Sequence, residues 1–358
     1  MKSKSCTLSG LILSLISFAS VANDYPTFKF SGKIMLDYDR FDTNFLEAAD
    51  KGDSNVELRR LRLKLESDIS QDWRAKLNLE ATDDGEIKDA YLKYVGWKRA
   101  DFTLGKQKEP FGLERLMSSK KLSFIERSMI SNAIAPGRAY GFKASGNQGM
   151  VSWHLGYFQN DNYEKGNAVT GKATWTPWIE DKNLVHVGVS FSERSLHGEA
   201  FRMNQNMEVH SADSLIEGAK FNADSASLTG IELLWQHNGF INMAEWQQST
   251  VQADDGSEYG YEGGYYQMSY LFSGENRKYK NGMLSDIKTK DDWQVTLRYS
   301  QLALLAENNK AKIYYVGVNY YFDKDLKFMA NYSNAEYVKE GLNLGSGDAM
   351  SIRAQYLF

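Results

Sequence analysis

Apolar and polar residues alternate with a period of two in segment after segment of this chain. That spacing puts successive side chains on opposite faces of a β-strand. Residues 293–300 set Trp293, Val295, Leu297 and Tyr299 against Gln294, Thr296, Arg298 and Ser300. Residues 326–333 set Leu326, Phe328, Ala330 and Tyr332 against Lys327, Asn331 and Ser333. Residues 73–81 set Trp73, Ala75, Leu77, Leu79 and Ala81 against Arg74, Lys76, Asn78 and Glu80. The chain ends on Met350, Ile352, Ala354, Tyr356 and Phe358, alternating with Ser351, Arg353 and Gln355. Polar faces this rich in charge suit a wet interior rather than a packed soluble core, so the pattern predicts a lipid-facing β-barrel.

The alternating segments are separated by turn signals at Gln71-Asp72, Gly146-Asn147-Gln148-Gly149, Glu180-Asp181-Lys182-Asn183, Asn238-Gly239 and Asp323-Lys324-Asp325. Longer connections are expected at 42–54, 108–136, 195–224 and 339–347, which gives short turns at one end and long loops at the other. One segment breaks that rule, because 274–290 is long yet falls among the short turns by count. With both termini at the periplasmic end, the strand number must be even. Counting residues 207–221 as a strand gives seventeen; placing them within the 195–224 excursion gives sixteen. The expectation is an all-β transmembrane antiparallel barrel of sixteen strands, wide enough for an aqueous channel.

Composition sharpens this picture. The sequence is 25% charged, with 29 Gly, only 4 Pro and 13% aromatic residues, and its mean hydropathy is −0.51. A chain whose strands face water on one side and lipid on the other accounts for that mixture, and a soluble β-sandwich or lectin shares it, so the alternation and not the composition separates the two. Lys2 and Lys4 precede an apolar stretch from Leu8 to Phe18, then small residues at Ser20 and Ala22. Residues 1–22 are therefore expected to be a signal peptide cleaved before Asn23, leaving 23–358 as the barrel. The apolar stretch is too short for a helix that needs about 20 residues to cross a bilayer. Cys6 lies ahead of that stretch, so the exported chain would carry no thiol to mispair in an oxidising compartment. Losing Lys2 and Lys4 takes the formal net charge from −4 to −6. That balance excludes a nucleic-acid binder, and any preference for anions must come from where the basic residues sit.

Two features place them. In Val56–Glu66, Leu61, Leu63 and Leu65 alternate with Arg60, Arg62 and Lys64. A charge facing mid-bilayer lipid costs about 2–4 kcal/mol, so these cations are expected to face the lumen, extended by Arg74, Lys76 and Lys93. Rings of Arg and Lys favour anions in pores. The alternative is that they pair with Glu57, Glu66 and Glu80 and stiffen the wall. The second feature is 108–136, which lacks alternation yet is too apolar for an exposed loop. Folding it inward would bury Leu113, Leu116, Phe124, Ile125, Met129 and Ile130 and carry Arg115, Lys120, Lys121 and Arg127 towards the pore. A lid or an external docking loop is the competing reading.

The runs ELRRLRLKLE, DWRAKLNLE, IKDAYLKY, LGKQKEPFGLERLMSSKKLSFIERS and NAIAPGR, followed by LLWQHNGF, YYQMSYLFSGENRKY and AQYLF, closely resemble the phosphate-selective porin O and P family. The resemblance spans nearly the whole chain after residue 22. It implies a sixteen-stranded outer-membrane porin, usually trimeric, whose third long loop folds into the channel. It also implies that a lysine after the paired serines of that loop helps to bind phosphate. The matching position is Lys120, with Lys121 beside it; Arg60 and Arg62 match the wall arginines in pattern. The sequence departs from the family at AFRMNQNMEVH, where Arg202 stands nearly alone and Asn204 and Asn206 carry no charge.

The implied partners are small inorganic anions, outer-membrane lipid and lipopolysaccharide, and two further copies of the chain. No cofactor or catalytic group is expected. Asp83-Asp84-Gly85-Glu86 and Asp254-Asp255-Gly256 lack the graded spacing of a calcium loop, and His154, His186, His197, His210 and His237 lack metal-ligand spacing. No phosphate-cradling glycine loop leads into a helix. The runner-up functions are a general or cation-tolerant porin of the same fold, a plugged surface receptor and a lipid-hydrolysing barrel.

Overall fold

The strands form where the alternation is strongest. The computed structural model describes residues 25–42, 53–82, 85–159, 166–180 and 182–358, so the leader expected at 1–22 lies outside the described residues. The first six strands are β1 (Thr27–Phe41), β2 (Asp53–Asp68), β3 (Trp73–Glu80), β4 (Glu86–Tyr94), β5 (Asp101–Lys108) and β6 (Arg138–Gln148). They continue with β7 (Val151–Gln159), β8 (Asn167–Glu180), β9 (Asn183–Asn206), β10 (Ser214–His237), β11 (Phe240–Ala253) and β12 (Glu258–Leu271). The last are β13 (Tyr279–Lys280), β14 (Met283–Leu284), β15 (Asp292–Leu304), β16 (Asn309–Tyr321), β17 (Leu326–Lys339) and β18 (Leu342–Leu357). Among the described residues, sixteen of these close one barrel in sequence order, and β13–β14 is a separate small hairpin. Every pairing in the barrel is antiparallel, as short connections between successive strands require.

Closure joins β1 to β18, with Lys33 opposite Leu357 and Phe41 opposite Ala349. The terminal Phe358 completes that seam, because Gly32 N–H donates to its carbonyl at 2.6 Å and its own N–H donates back at 3.2 Å. A Cβ at Gly32 would collide with the Phe358 ring. The final aromatic residue is thus the last rung of the ladder.

The barrel is apolar outside and polar inside. On β15, Val295 and Leu297 are 40% and 49% exposed, whereas Thr296 and Ser300 are 1% and 0% exposed. This inverted pattern is stable only if the outer face meets lipid. Ring pairs cluster near the short-turn end: Trp73–Tyr94, Trp97–Phe102, Phe240–Tyr270 and Trp293–Tyr320. They form the aromatic girdle expected where a barrel crosses the headgroup layer.

Three expected connections are corrected by the structure. Most of 195–224 is strand: β9 and β10 both continue through it, leaving only 207–213 between them. Register shifts between Ser214 and Ile216, Glu217 and Lys220, and Ala223 and Ser225 interrupt the period-two signal and hide the strands from a pattern search. The expected loop at 339–347 is a two-residue turn, in which Glu340 and Gly341 both have positive φ, at 51° and 81°. That is the tight hairpin geometry whose twist matches its flanking strands. The turn expected at 146–149 likewise shifts to Gly149-Met150. The sixteen-strand count holds, and 274–290 does fall at the short-turn end.

Candidate functional site

A cavity of about 1390 Å³ lies against the inner faces of the first eight strands. Its lining includes nineteen Lys or Arg side chains and six Asp or Glu. The whole chain has a formal net charge of −4, so the basic residues are sorted strongly towards this cavity.

On β2 the sorting depends on a bulge. Met35 lies opposite Arg60 and Leu36 opposite Leu58, so Arg59 has no partner on β1. A two-against-one bulge re-aims the extra side chain. Arg59 and Arg60 therefore both border the cavity, together with Arg62 and Lys64. Strict alternation puts Arg59 on the lipid face, and sequence reasoning missed it. The Arg59-Arg60 doublet was the available signal, since a lipid-facing arginine is too unfavourable to persist.

These cations line the cavity and also make ion pairs. Arg62 pairs with Glu80, and Lys64 lies 2.8 Å from Glu66. Arg59 Nε lies 2.9 Å from Glu126, and Arg60 reaches the same carboxylate at 3.9 Å. Lys76 lies 3.6 Å from Asp89 and Lys93 lies 2.6 Å from Asp101; both lysines border the cavity. Two expected residues stay outside it. Arg74 sits near the open end of β3, half-exposed and 3.0 Å from Asp68. Arg202 sits on the far extension of β9, where it pairs with Glu217 and donates to Gly218 O at 3.1 Å.

Residues 109–137 connect β5 to β6. They include a 3-10 turn at Ser119–Lys121 and one helical turn, α1 (Met129–Ala133), capped by the Ser128 side chain, which accepts from Ser131 N–H. Their apolar side chains are thoroughly covered: Phe111, Leu113, Met117, Phe124, Met129 and Ile130 are all 0–1% exposed. They share one apolar cluster with Leu302, Ile313 and Tyr315 from the wall. Charged wall residues hold the segment as well. Arg298, fully buried, donates to Glu114 at 2.7 Å and to Glu208 of the β9–β10 loop at 2.8 Å, and stacks on Phe124. Arg353 engages Asp37 and donates to Ile125 O at 2.6 Å. Glu245 accepts from the Leu113 and Glu114 amides at 2.9 and 2.7 Å.

The four cations expected in this segment all border the cavity. Arg115 and Arg127 also brace the segment, Arg115 through Pro136 O at 3.2 Å and Arg127 through Met117 O at 2.7 Å. Burial lowers the Arg115 pKa to about 10, helped by the charges of Arg127 and Arg138. Lys120 and Lys121 meet a different segment. Lys120 Nζ lies 2.6 Å from Asp286, and Lys121 Nζ donates to Leu284 O at 3.0 Å. Both acceptors belong to 272–291, which enters from the opposite end of the barrel. Burial lowers the Lys121 pKa, only partly offset by Asp286.

Sequence reasoning also missed Lys33, Lys108, Arg138, Lys143 and Lys172, all of which border the cavity. Lys33 donates to Ser119. Lys108 donates to the carbonyls of Arg115, Leu116 and Met117 at 2.5, 3.1 and 2.9 Å. Arg138 and Lys143 share β6, Lys33 shares β1 with Lys29, and Lys172 is the single cation of β8, so they gather only when the barrel brings these strands side by side. Of the five histidines, His154 and His210 border the cavity. Among the described residues no group of His, Cys, Asp and Glu is arranged to hold a metal ion.

The chain is 25% identical to Porin O of Pseudomonas aeruginosa, in an alignment covering 93% of this chain and 88% of that protein. Its fold is similar to that of an anion-selective porin from Comamonas acidovorans, with a TM-score of 0.65, 12% identity and coverage of 93% of this chain and 100% of that one. It is also similar to the trimer form of OmpT, an outer membrane protein of Vibrio cholerae, with a TM-score of 0.61, 12% identity and coverage of 94% and 100%. The family model described as phosphate-selective porin O and P matches residues 28–358. A closed barrel with a lipid-facing exterior and a cationic interior agrees with that match, and the chain belongs to the phosphate-selective porin O and P family, as an outer-membrane porin.

Proposed function

We propose that residues 23–358 form a passive channel that admits small anions, inorganic phosphate among them, across the outer membrane. The carrying observation is the cavity lining: nineteen basic against six acidic side chains in a chain with a net charge of −4. An anion entering it sheds part of its water shell and exchanges it for charge-assisted hydrogen bonds from Arg and Lys. Segment 109–137 serves as the constriction, since its contacts with Arg298, Arg353 and Glu245 draw it against one side of the wall. That leaves Lys120, Lys121 and the β2 arginines facing the remaining passage. The channel works without a cofactor and performs no reaction on the ion. Transit needs several shallow sites rather than one tight one. The carboxylates among the cations, such as Glu126 between Arg59 and Arg60, keep each site shallow.

The chain assembles as a homotrimer in this reading, supported by the fold's likeness to a porin solved as a trimer. The ion pairs around Glu80, Glu126 and Asp89 favour a second reading, a general porin with little charge preference. Block of chloride conductance by inorganic phosphate separates the two. Replacing Lys120→Ala together with Lys121→Ala weakens that block while a heat-resistant oligomer still assembles. Unchanged block in the double variant moves the phosphate contact elsewhere on the wall.

A further inference from the structure

The lysine pair of segment 109–137 already has an anion on it, supplied by the chain itself. Asp286 Oδ2 lies 2.6 Å from Lys120 Nζ, and Oδ1 lies 3.9 Å from Lys121 Nζ. The second ammonium is engaged by the same segment, because Lys121 donates to Leu284 O at 3.0 Å. Asp286 sits just beyond the small β13–β14 hairpin, and that hairpin is firmly mounted. Arg277 is 4% exposed and donates twice to Ser285 O, at 3.0 and 2.7 Å. Tyr279 OH lies 2.6 Å from His186 Nδ1 and 2.9 Å from Thr176 Oγ1 on the wall. Leu284 is fully buried in the interior apolar cluster.

The carboxylate itself is held less completely than its mount. Its Oδ1 is buried yet has no hydrogen-bond partner in the structure, and a buried carboxylate oxygen without a donor is a poorly satisfied group. A rigid hairpin thus presents a half-satisfied carboxylate to two lysines that border the cavity.

We propose that Asp286 is a tethered counter-ion that competes with permeating anions for Lys120 and Lys121. An incoming oxyanion such as inorganic phosphate displaces it, and it returns when the ion leaves. The lysine pair is then never left bare, and ion residence there stays short. This inference rests on the anion-channel reading above and adds a specificity-determining residue from the periplasmic end of the barrel.

The test is block of chloride current by inorganic phosphate in planar bilayers, for the wild-type porin, Asp286→Asn, Lys120→Ala and their combination. Asp286→Asn removes the competing charge while keeping the side chain's shape. The expected result is a half-blocking phosphate concentration lower by about tenfold, which corresponds to about 1.4 kcal/mol, with longer individual block events. In the Lys120→Ala background the same change has little effect. Asp286→Ser must act in the same direction; if only one of the two variants shifts the block, the effect is steric and the proposal fails. An unchanged or higher half-blocking concentration in both variants also overturns it. Failure of the channel reading shows in a different place, as cation preference of the wild-type porin. If the wild type shows no phosphate block, block appearing in Asp286→Asn supports the tethered counter-ion, and its absence there overturns it.

Discussion

Arg298→Met tests whether buried charge holds the 109–137 segment to the wall. Arg298 is the shared donor for Glu114 and Glu208, which are 1% and 4% exposed. It also donates to Gln267 at 2.9 Å and to Glu126 O at 3.1 Å. Methionine keeps the apolar stem and its contact with Phe124 but removes the direct ion-pair partner of two buried carboxylates. Breaking a buried pair by removing one partner costs about 3–5 kcal/mol. Six fully buried apolar side chains of the segment oppose release, at about 1.5–3 kcal/mol each as an upper bound. The segment therefore stays docked on average but opens more often. At 1.36 kcal/mol per decade, the opening equilibrium rises by about 10²–10⁴, less whatever the carboxylates recover by taking up protons. Hydrogen exchange of the purified porin, followed by mass spectrometry, reads this directly. Amides in 112–131 exchange faster by about two orders of magnitude or more, while those of β3 and β4 do not change, and open-channel noise grows. Adding Glu114→Gln to Arg298→Met restores part of the protection by removing one stranded charge. Equal exchange at 112–131 in wild type and Arg298→Met, or acceleration spread evenly over the barrel, refutes this account of the docking.

Other outcomes follow from the same physics. Leu297→Arg puts a cation on the lipid face midway along β15 and lowers unfolding stability in bilayers by about 2–4 kcal/mol, measured by urea titration in liposomes. Only a loss below about 1 kcal/mol, the range typical of interfacial positions, would contradict the assigned orientation of that strand. Anion preference should weaken with salt, because the Debye length falls from about 10 Å at 0.1 M to about 3 Å at 1 M. Reversal potentials at matched gradients therefore give an anion-to-cation permeability ratio that drops steadily as mean KCl rises. A ratio independent of salt would point to size exclusion or direct ligation instead of the charge of the lining.

The barrel was legible because half of every strand must satisfy lipid and half water. Along 293–300 of β15 and 350–356 of β18 that constraint writes period-two alternation without interruption, and the terminal Phe358 marks the closing seam. Legibility failed where local geometry broke the period. The β9–β10 hairpin hides behind three register shifts, and Arg59 hides behind the bulge opposite Met35 and Leu36. The site was partly legible. Arg60, Arg62 and Lys64 stand out by alternation, and Lys120 and Lys121 by lying in a segment too apolar for an exposed loop. Lys33, Lys143 and Lys172 carry no local signal, since closure of the barrel alone makes them neighbours of the cavity. Asp286 is the extreme case. Its segment was noticed only as too long for its end of the barrel, and its meeting with Lys120 joins positions 166 residues apart in the chain. Arg74 and Arg202 show the converse, since a cation in the right sequence pattern can still lie at a rim or a hairpin tip.

Basic side chains gathered on one side of the lumen make an acidic protein conduct anions. The reversal potential of the purified porin in a planar bilayer under a KCl gradient tests it most directly. The structure predicts a potential whose sign reports chloride as the preferred ion, and a conductance that falls as inorganic phosphate is added. A potential of the opposite sign, with conductance indifferent to phosphate, contradicts it.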